Sequence, residues 1–256
     1  MRTKIIYEDK DIIVCHKPSG IAVQSAGIGS MDMVSELKNY LNRSEEKISK
    51  LSKKKETYLG IVHRLDQPVE GVMVFAKTPK AAALLSRQAE GIMISSMEDT
   101  TESYVDNFTK NLTSKGMKKI YRAEVYGHLT EQSGELRDYL IKDGKTNTSK
   151  VVDKAEIAEY KNSGNKLSCK LALLQYEVIE QRKYTDILKI QLYTGRHHQI
   201  RVQFSHAGYP LVGDTKYASE ASAAYNRENN IREIALKAVQ LEFTHPSSGE
   251  KMVFSI

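Results

Sequence analysis

The chain has 256 residues, 40% hydrophobic and 27% charged, which is ample apolar material for a sizeable core. No apolar run approaches the roughly 18 residues of a membrane-spanning helix, and the opening MRTKIIYEDKD carries charges where an export signal needs an apolar stretch, so a cytoplasmic protein is expected. The net charge of +6 points to a polyanionic partner.

Taken in order, residues 4–7 and 12–15 read as a hairpin around the polar turn EDKD, halted by Lys17-Pro18-Ser19-Gly20. Residues 31–41 have apolar side chains at 33, 34, 37, 40 and 41, which is helical spacing. A polar, Lys-rich connector is expected over 42–58. Residues 71–77, GVMVFAK, form a nearly continuous apolar run, as in a strand buried on both faces. Thr78 then caps a helix with Pro79 in its first turn and Ala81, Leu84 and Leu85 on one side, ending before Gly91.

Residues 96–115 suit an amphipathic helix with Met97, Tyr104, Val105, Phe108 and Leu112 on one stripe, acids first, lysines last, and Gly116 to stop it. Strands return at 120–126 and within 167–193, where Leu188, Ile190 and Leu192 alternate with Lys189 and Gln191. Residues 197–207 suit a helix burying Ile200 and Phe204 and closing at Gly208, and the chain finishes as two strands around Pro-Ser-Ser-Gly. The reading is one α+β domain over 1–256, a mainly antiparallel mixed sheet with flanking helices.

Several chemistries drop out. No phosphate-binding GxxxxGK[ST], dinucleotide GxGxxG, HExxH or GxSxG is present. Cys15 and Cys169 lack metal or redox spacing and read as two buried free thiols. His63, Asp66, His197, His198 and His206 have no ligand spacing, and on a helix the adjacent pair would point about 100° apart, so no metal is expected.

Asp66, in HRLDQPVEG, is the better chemical candidate: it lies in a connection between apolar runs, where functional side chains concentrate. Such a carboxylate is either half of a structural ion pair or a nucleophile kept ionised by a nearby arginine, for which Arg201 is available. Tyr121 shares a buried strand face with Ala123 and Val125, so it either packs the core or stacks on a base and offers its hydroxyl.

Four blocks, HRLDQPVEGVMVFAKT, KKIYRAEVYG, TGRHHQIRVQFSHAGYPLVGDTKYA and ALKAVQLEFTHPSSGE, together resemble the RluA-type pseudouridine synthases, in the same order and over nearly the whole chain. The resemblance implies isomerisation of uridine to pseudouridine in structured ribosomal or transfer RNA, without metal or cofactor, by a monomer that flips out its target nucleotide. It makes Asp66 the catalytic residue, Tyr121 the stacking and proton-transfer residue, and Arg201 the partner of the aspartate. Leu236 would pack on the target base, Arg64 would fill the gap the flipped nucleotide leaves, and Arg196, His198 and Gln199 would help bind substrate.

This chain departs from the family at Val69-Glu70-Gly71, where Thr-Ser-Gly is usual, at His197 for threonine and at Lys237 for histidine. It also has a longer link over about 91–117, read as a helical insertion, and no separate N-terminal RNA-binding domain is expected. An RNA-binding protein of the same fold without activity is the alternative, hinted at by Glu70; a metal-dependent RNA hydrolase is a distant third. Residues 43–55 hold six basic and two acidic residues and 110–122 five basic and no acidic ones. Both runs are expected along RNA phosphates, with the acidic stretch of 91–109 turned away from RNA or shaping access to it.

Overall fold

A computed structural model describes residues 2–25, 31–48, 57–90, 116–153, 155–157 and 169–256. The chain divides into two compact units, the first built from residues 1–89, 115–117 and 238–256, the second from 90–114 and 118–237. Each is α+β with antiparallel strand pairing.

In the first unit, β1 (Lys4–Glu8) and β2 (Ile12–Lys17) form the expected hairpin. Asp9 makes its turn: Oδ1 accepts the N–H groups of Asp11 and Ile12, both at 2.8 Å, a local side-chain turn typical of aspartate. Next to β2 runs β4 (Glu70–Ala76), paired from Ile12↔Ala76 to Lys17↔Gly71. Every residue of β4 after Glu70 is buried, as its unbroken apolar run requires. The short β3 (Gly60–Ile61) pairs with the end of β4, and β10 (Leu236–Thr244) forms the C-terminal hairpin with β11 (Lys251–Ser255).

Helix α2 (Pro79–Glu90) begins where Thr78 accepts the Ala81 N–H at 3.1 Å. It buries Ala81 and Leu85 against Ile12, Val14, Val72, Val74, Leu241 and Phe243. Helix α1 (Met33–Ile48) runs seven residues past the expected end at 41 and takes in the first part of the supposed connector. Its sequence there, NRSEEKI, has no apolar stripe to advertise a helix, but Arg, Glu and Lys are good helix formers. The expected helix over 96–115 and the insertion over 91–115 lie outside the described residues.

The second unit is a sheet in the order β5 (Lys118–Tyr126), β9 (Thr185–Leu192), β8 (Lys170–Gln181), β6 (Ser133–Asp143), β7 (Thr148–Val152). The alternation in β9 is as expected, with Leu188, Ile190 and Leu192 buried and Lys189 exposed. Helix α3 (Gln199–His206) packs Val202 on Leu140 and Ala172. A fourth helix, α4 (Glu220–Glu228), is capped by the Ser219 side chain.

Cys15 is buried, and burial pushes its thiol well above the usual range. Cys169 is half-buried rather than buried, packed beside Ile141, Val152 and Ile157. No described helix is long and apolar enough to cross a membrane.

Gly71 is fixed by space. A Cβ there would lie 2.4 Å from the Cβ of Ala238 and 2.6 Å from its carbonyl oxygen, so β4 can approach β10 this closely only without a side chain. Gly71→Ala should lower stability by about 1–3 kcal/mol in denaturant unfolding, and an unchanged midpoint would refute this packing.

Candidate active site

Asp66 sits in the connection from β3 to β4, half-buried, between the exposed Arg64 and the buried Leu65 on one side and a turn closed by Val69 N–H donating to the Asp66 carbonyl at 3.0 Å on the other. The KPSG segment is laced to that turn. Gly20 N–H donates to Gln67 O at 3.0 Å, and Ser19 Oγ donates to Pro68 O at 2.9 Å. Lys17 reaches in from the end of β2, wholly buried, and its Nζ donates to Gln67 O at 2.8 Å, Val69 O at 2.7 Å and Pro18 O at 3.2 Å.

Burial pulls the Lys17 ammonium down to about 8, against the opposing pull of the Asp66 and Glu70 carboxylates. Its charge is therefore part of the electrostatics of this turn. Glu70, the departure from the family pattern, is engaged by His16 Nε2 at 3.1 Å. His63 Nε2 accepts the Val74 N–H at 3.2 Å, so that nitrogen is tied to β4.

In the second unit, Tyr121 lies on the buried face of β5, opposite Ile190 and only 7% exposed. Arg201 is buried on α3, and Asp214 grips it through two hydrogen bonds of 2.7 Å, Nε to Oδ2 and Nη2 to Oδ1. Asp214 was not among the residues singled out from sequence. Leu236, the first residue of β10, is buried, with its N–H donating to Ile234 O at 2.9 Å.

The turn before α3 differs from expectation. The helix starts at Gln199, and His198 precedes it at φ 54°, in the left-handed region. His197 and His198 therefore do not fan out along a helix; their rings stack at 3.8 Å and 24°. Ser149 Oγ donates to His197 O at 2.8 Å and lies 3.0 Å from His197 Nδ1. Tyr217 OH accepts the Ser149 N–H at 2.7 Å and is hydrogen-bonded to His198 Nδ1 at 2.8 Å.

Burial, then the positive charges of Arg201 and Lys216, pull His198 down to about 4, only partly offset by Asp214. It is a neutral imidazole at neutral pH. Arg196 is half-buried and donates from Nε to Leu171 O at 2.7 Å. Gln199 is buried with both ends of its amide engaged: Oε1 accepts from Thr194 Oγ1 and Arg196 N–H, and Nε2 donates to Leu173 O and Gln203 Oε1. The Gln199 side chain shapes this turn.

The basic runs are only partly described. Residues 49–55 and 110–115 lie outside the described residues. Arg43 and Arg122 are exposed, but Lys119 is buried, and burial with the nearby Arg196 charge pulls it down to about 8. The second run is thus not a uniformly solvated strip.

Among the described residues, Asp9, Asp11 and His245 come close enough to suggest a metal site. The hydrogen bonds oppose it. His245 Nδ1 accepts from the N–H groups of Ser247 and Ser248, so Nε2 carries the proton and donates to Asp9 Oδ2 at 2.8 Å. No imidazole lone pair remains for an ion. Asp11 Oδ2 is buried without a hydrogen bond, a local cost rather than a ligand set.

Comparison with known proteins agrees with the motif reading. The sequence profile of the family described as RNA pseudouridylate synthase matches residues 11–96 and 85–206. The chain belongs to this family, in its RluA-type branch. It is 33% identical to Ribosomal large subunit pseudouridine synthase D of Pseudomonas aeruginosa, over 97% of this chain and 66% of that one. It is 29% identical to Dual-specificity RNA pseudouridine synthase RluA of Vibrio parahaemolyticus, over 96% of this chain and 79% of that one. The solved structure of Human RNA Pseudouridylate Synthase Domain Containing 1 superposes with a TM-score of 0.64 at 18% identity, covering 99% of this chain and 82% of that one, which shows the shared fold. The chain is thus a pseudouridine synthase, an enzyme of RNA modification.

Two outcomes follow from the geometry. Lys17→Met should remove the ammonium donor from Val69 O and leave Gln67 O to the Gly20 N–H, at a cost of about 1–3 kcal/mol of stability; full retention of stability in denaturant unfolding would refute the bracing role. His198 has a folded value below its ordinary 6.5, so the unfolded chain binds more protons between about 4 and 6.5 and stability falls as pH drops through that window. His198→Gln should flatten that slope, and an identical pH profile in the variant would contradict the neutral assignment.

Proposed function

We propose that the protein converts a uridine in structured ribosomal or transfer RNA to pseudouridine, acting in the cytoplasm as a monomer, with Asp66 as nucleophile and no metal or cofactor. The observation that carries the reading is the family match, with the aspartate of HRLD on a turn braced from below by Lys17.

The chemistry is an isomerisation. The glycosidic bond between uracil N1 and ribose C1′ breaks, and C1′ is rejoined to uracil C5. The C5 proton is lost and N1 ends protonated, so no atom is gained or lost. The Asp66 carboxylate attacks either C1′ or the uracil ring and is released when the new bond forms.

A stacked nucleotide hides these atoms, so the target must be extruded at about a few kcal/mol and read in a pocket. Arg64 is assigned to the vacated space, and its exposure suits that task. Tyr121 and Leu236, both largely buried, are assigned to the two sides of the flipped base. Arg201 is assigned as the charge that favours an ionised Asp66. Arg196 and His198 are assigned to the RNA backbone or ribose, with His198 a neutral imidazole whose protonation does not change near neutral pH. Glu70, the sequence hint of an inactive RNA-binding protein, has a local counterpart in His16, which supports the catalytic reading.

Asp66→Asn should abolish pseudouridine formation in a purified assay and leave RNA affinity within about threefold; substantial turnover by this variant would rule out the mechanism. Tyr121→Phe should lose turnover while retaining binding if the hydroxyl moves a proton, and Tyr121→Ala should also lose about 1–3 kcal/mol of binding to the base. Equal, small losses in both would return Tyr121 to ordinary core packing.

A further inference from the structure

We propose that Asp214 is a positioning residue for Arg201, holding its guanidinium in a fixed cradle completed by the Tyr217 ring; this rests on the assignment of Arg201 to the active site given above. The two 2.7 Å hydrogen bonds from Nε and Nη2 take up one whole edge of the guanidinium. The guanidinium also lies over the Tyr217 ring, with Cζ 5.2 Å from its centroid. Two hydrogen bonds along one edge and a ring beneath the charge together restrict how the group can turn.

The cradle is itself anchored. Asp214 Oδ1 also accepts the N–H groups of Lys216 at 2.8 Å and Tyr217 at 3.2 Å, so the carboxylate heads its own turn. Gly213 has φ +75°, and a Cβ there would lie 1.9 Å from Glu233 O, a position closed to any other residue. Its N–H donates to Asn226 Oδ1 on α4 at 3.0 Å. Val212 N–H donates to Glu124 O on β5 at 2.9 Å. Tyr217 is pinned at its hydroxyl by Ser149 and His198.

A simple structural ion pair would explain the contact less well. The Arg201 and Asp214 side chains are only 5% and 0% exposed, and a pair so buried recovers in attraction about what it costs in desolvation. What it provides is a defined orientation, and misplacing a reacting or supporting group by about 1 Å can cost on the order of 100-fold in rate.

The test measures single-turnover rates on an RNA that the wild-type protein modifies, for wild type, Asp214→Asn, Asp214→Glu, Arg201→Gln and the double variant Asp214→Asn/Arg201→Gln. Melting curves and RNA affinities are taken for each. The cradle predicts that both Asp214 substitutions slow the reaction about 10- to 100-fold while RNA affinity stays within about threefold. It also predicts that Asp214→Asn costs nothing further once Arg201 is gone, since it acts through that residue. Should Asp214→Asn fail to fold, Asp214→Glu decides, because it keeps the charge and shifts the carboxylate by one methylene. Multiplicative costs in the double variant, or an undiminished rate in Asp214→Glu, would overturn the cradle and leave the enzyme reading intact. A wild-type protein inactive on every RNA tried would overturn the enzyme reading itself.

Discussion

At the end of β2 an ammonium group lies inside the protein, and the turn carrying Asp66 is built around it. Residues 66–69 are not paired in a strand, so the carbonyls of Gln67 and Val69 take their donors from other segments, and Gly20 N–H reaches Gln67 O at 3.0 Å. Lys17 donates to both carbonyls, at 2.8 and 2.7 Å. The ladder from Ile12↔Ala76 to Lys17↔Gly71 sets where this lysine stands relative to the turn. Gly71 then lets β4 close on β10 without a side chain between them. Desolvating the lysine is costly, and its depressed proton affinity is the mark of that cost. The positive charge stands within the field of Asp66 and Glu70, so one side chain sets both the shape of the turn and the electrostatics around it.

The second unit solves a similar problem with different groups. There a buried arginine is engaged by a buried aspartate, and an imidazole stands beside them, held by a tyrosine that a strand amide in turn orients. Each polar group has its position dictated by another. Fully connected networks of this kind give a single low-energy arrangement, which suits a reaction in which the detached base must be rejoined at a different atom.

Where burial and pattern coincide, the sequence was readable: the unbroken run of β4, the alternation of β9, the Thr78 cap and the closing hairpin. Reading failed where local pattern carries no signal. The last turns of α1 have helix propensity without an apolar face, and the strands over 133–143 and 148–152 mix exposed and buried residues without regular alternation. His198 adopts φ 54° because the turn around it demands that shape, and His197-His198 read as helix until it is seen. Asp66, Tyr121 and Arg201 were named through short motifs. Asp214 and Lys17 were not, since their importance lies in a partner 13 residues away for one and about 50 for the other, distances that no periodicity reports. The hint available was chemical: a lysine closing an apolar strand and an aspartate directly after a glycine.

The central claim is that this chain makes pseudouridine in structured RNA. It is tested most directly by mapping pseudouridine in ribosomal and transfer RNA from cells with and without the protein. The account predicts that at least one defined uridine is modified only when the protein is present, and that returning the wild-type chain restores it. Identical maps in the two sets of cells, with the protein expressed and folded, would contradict it.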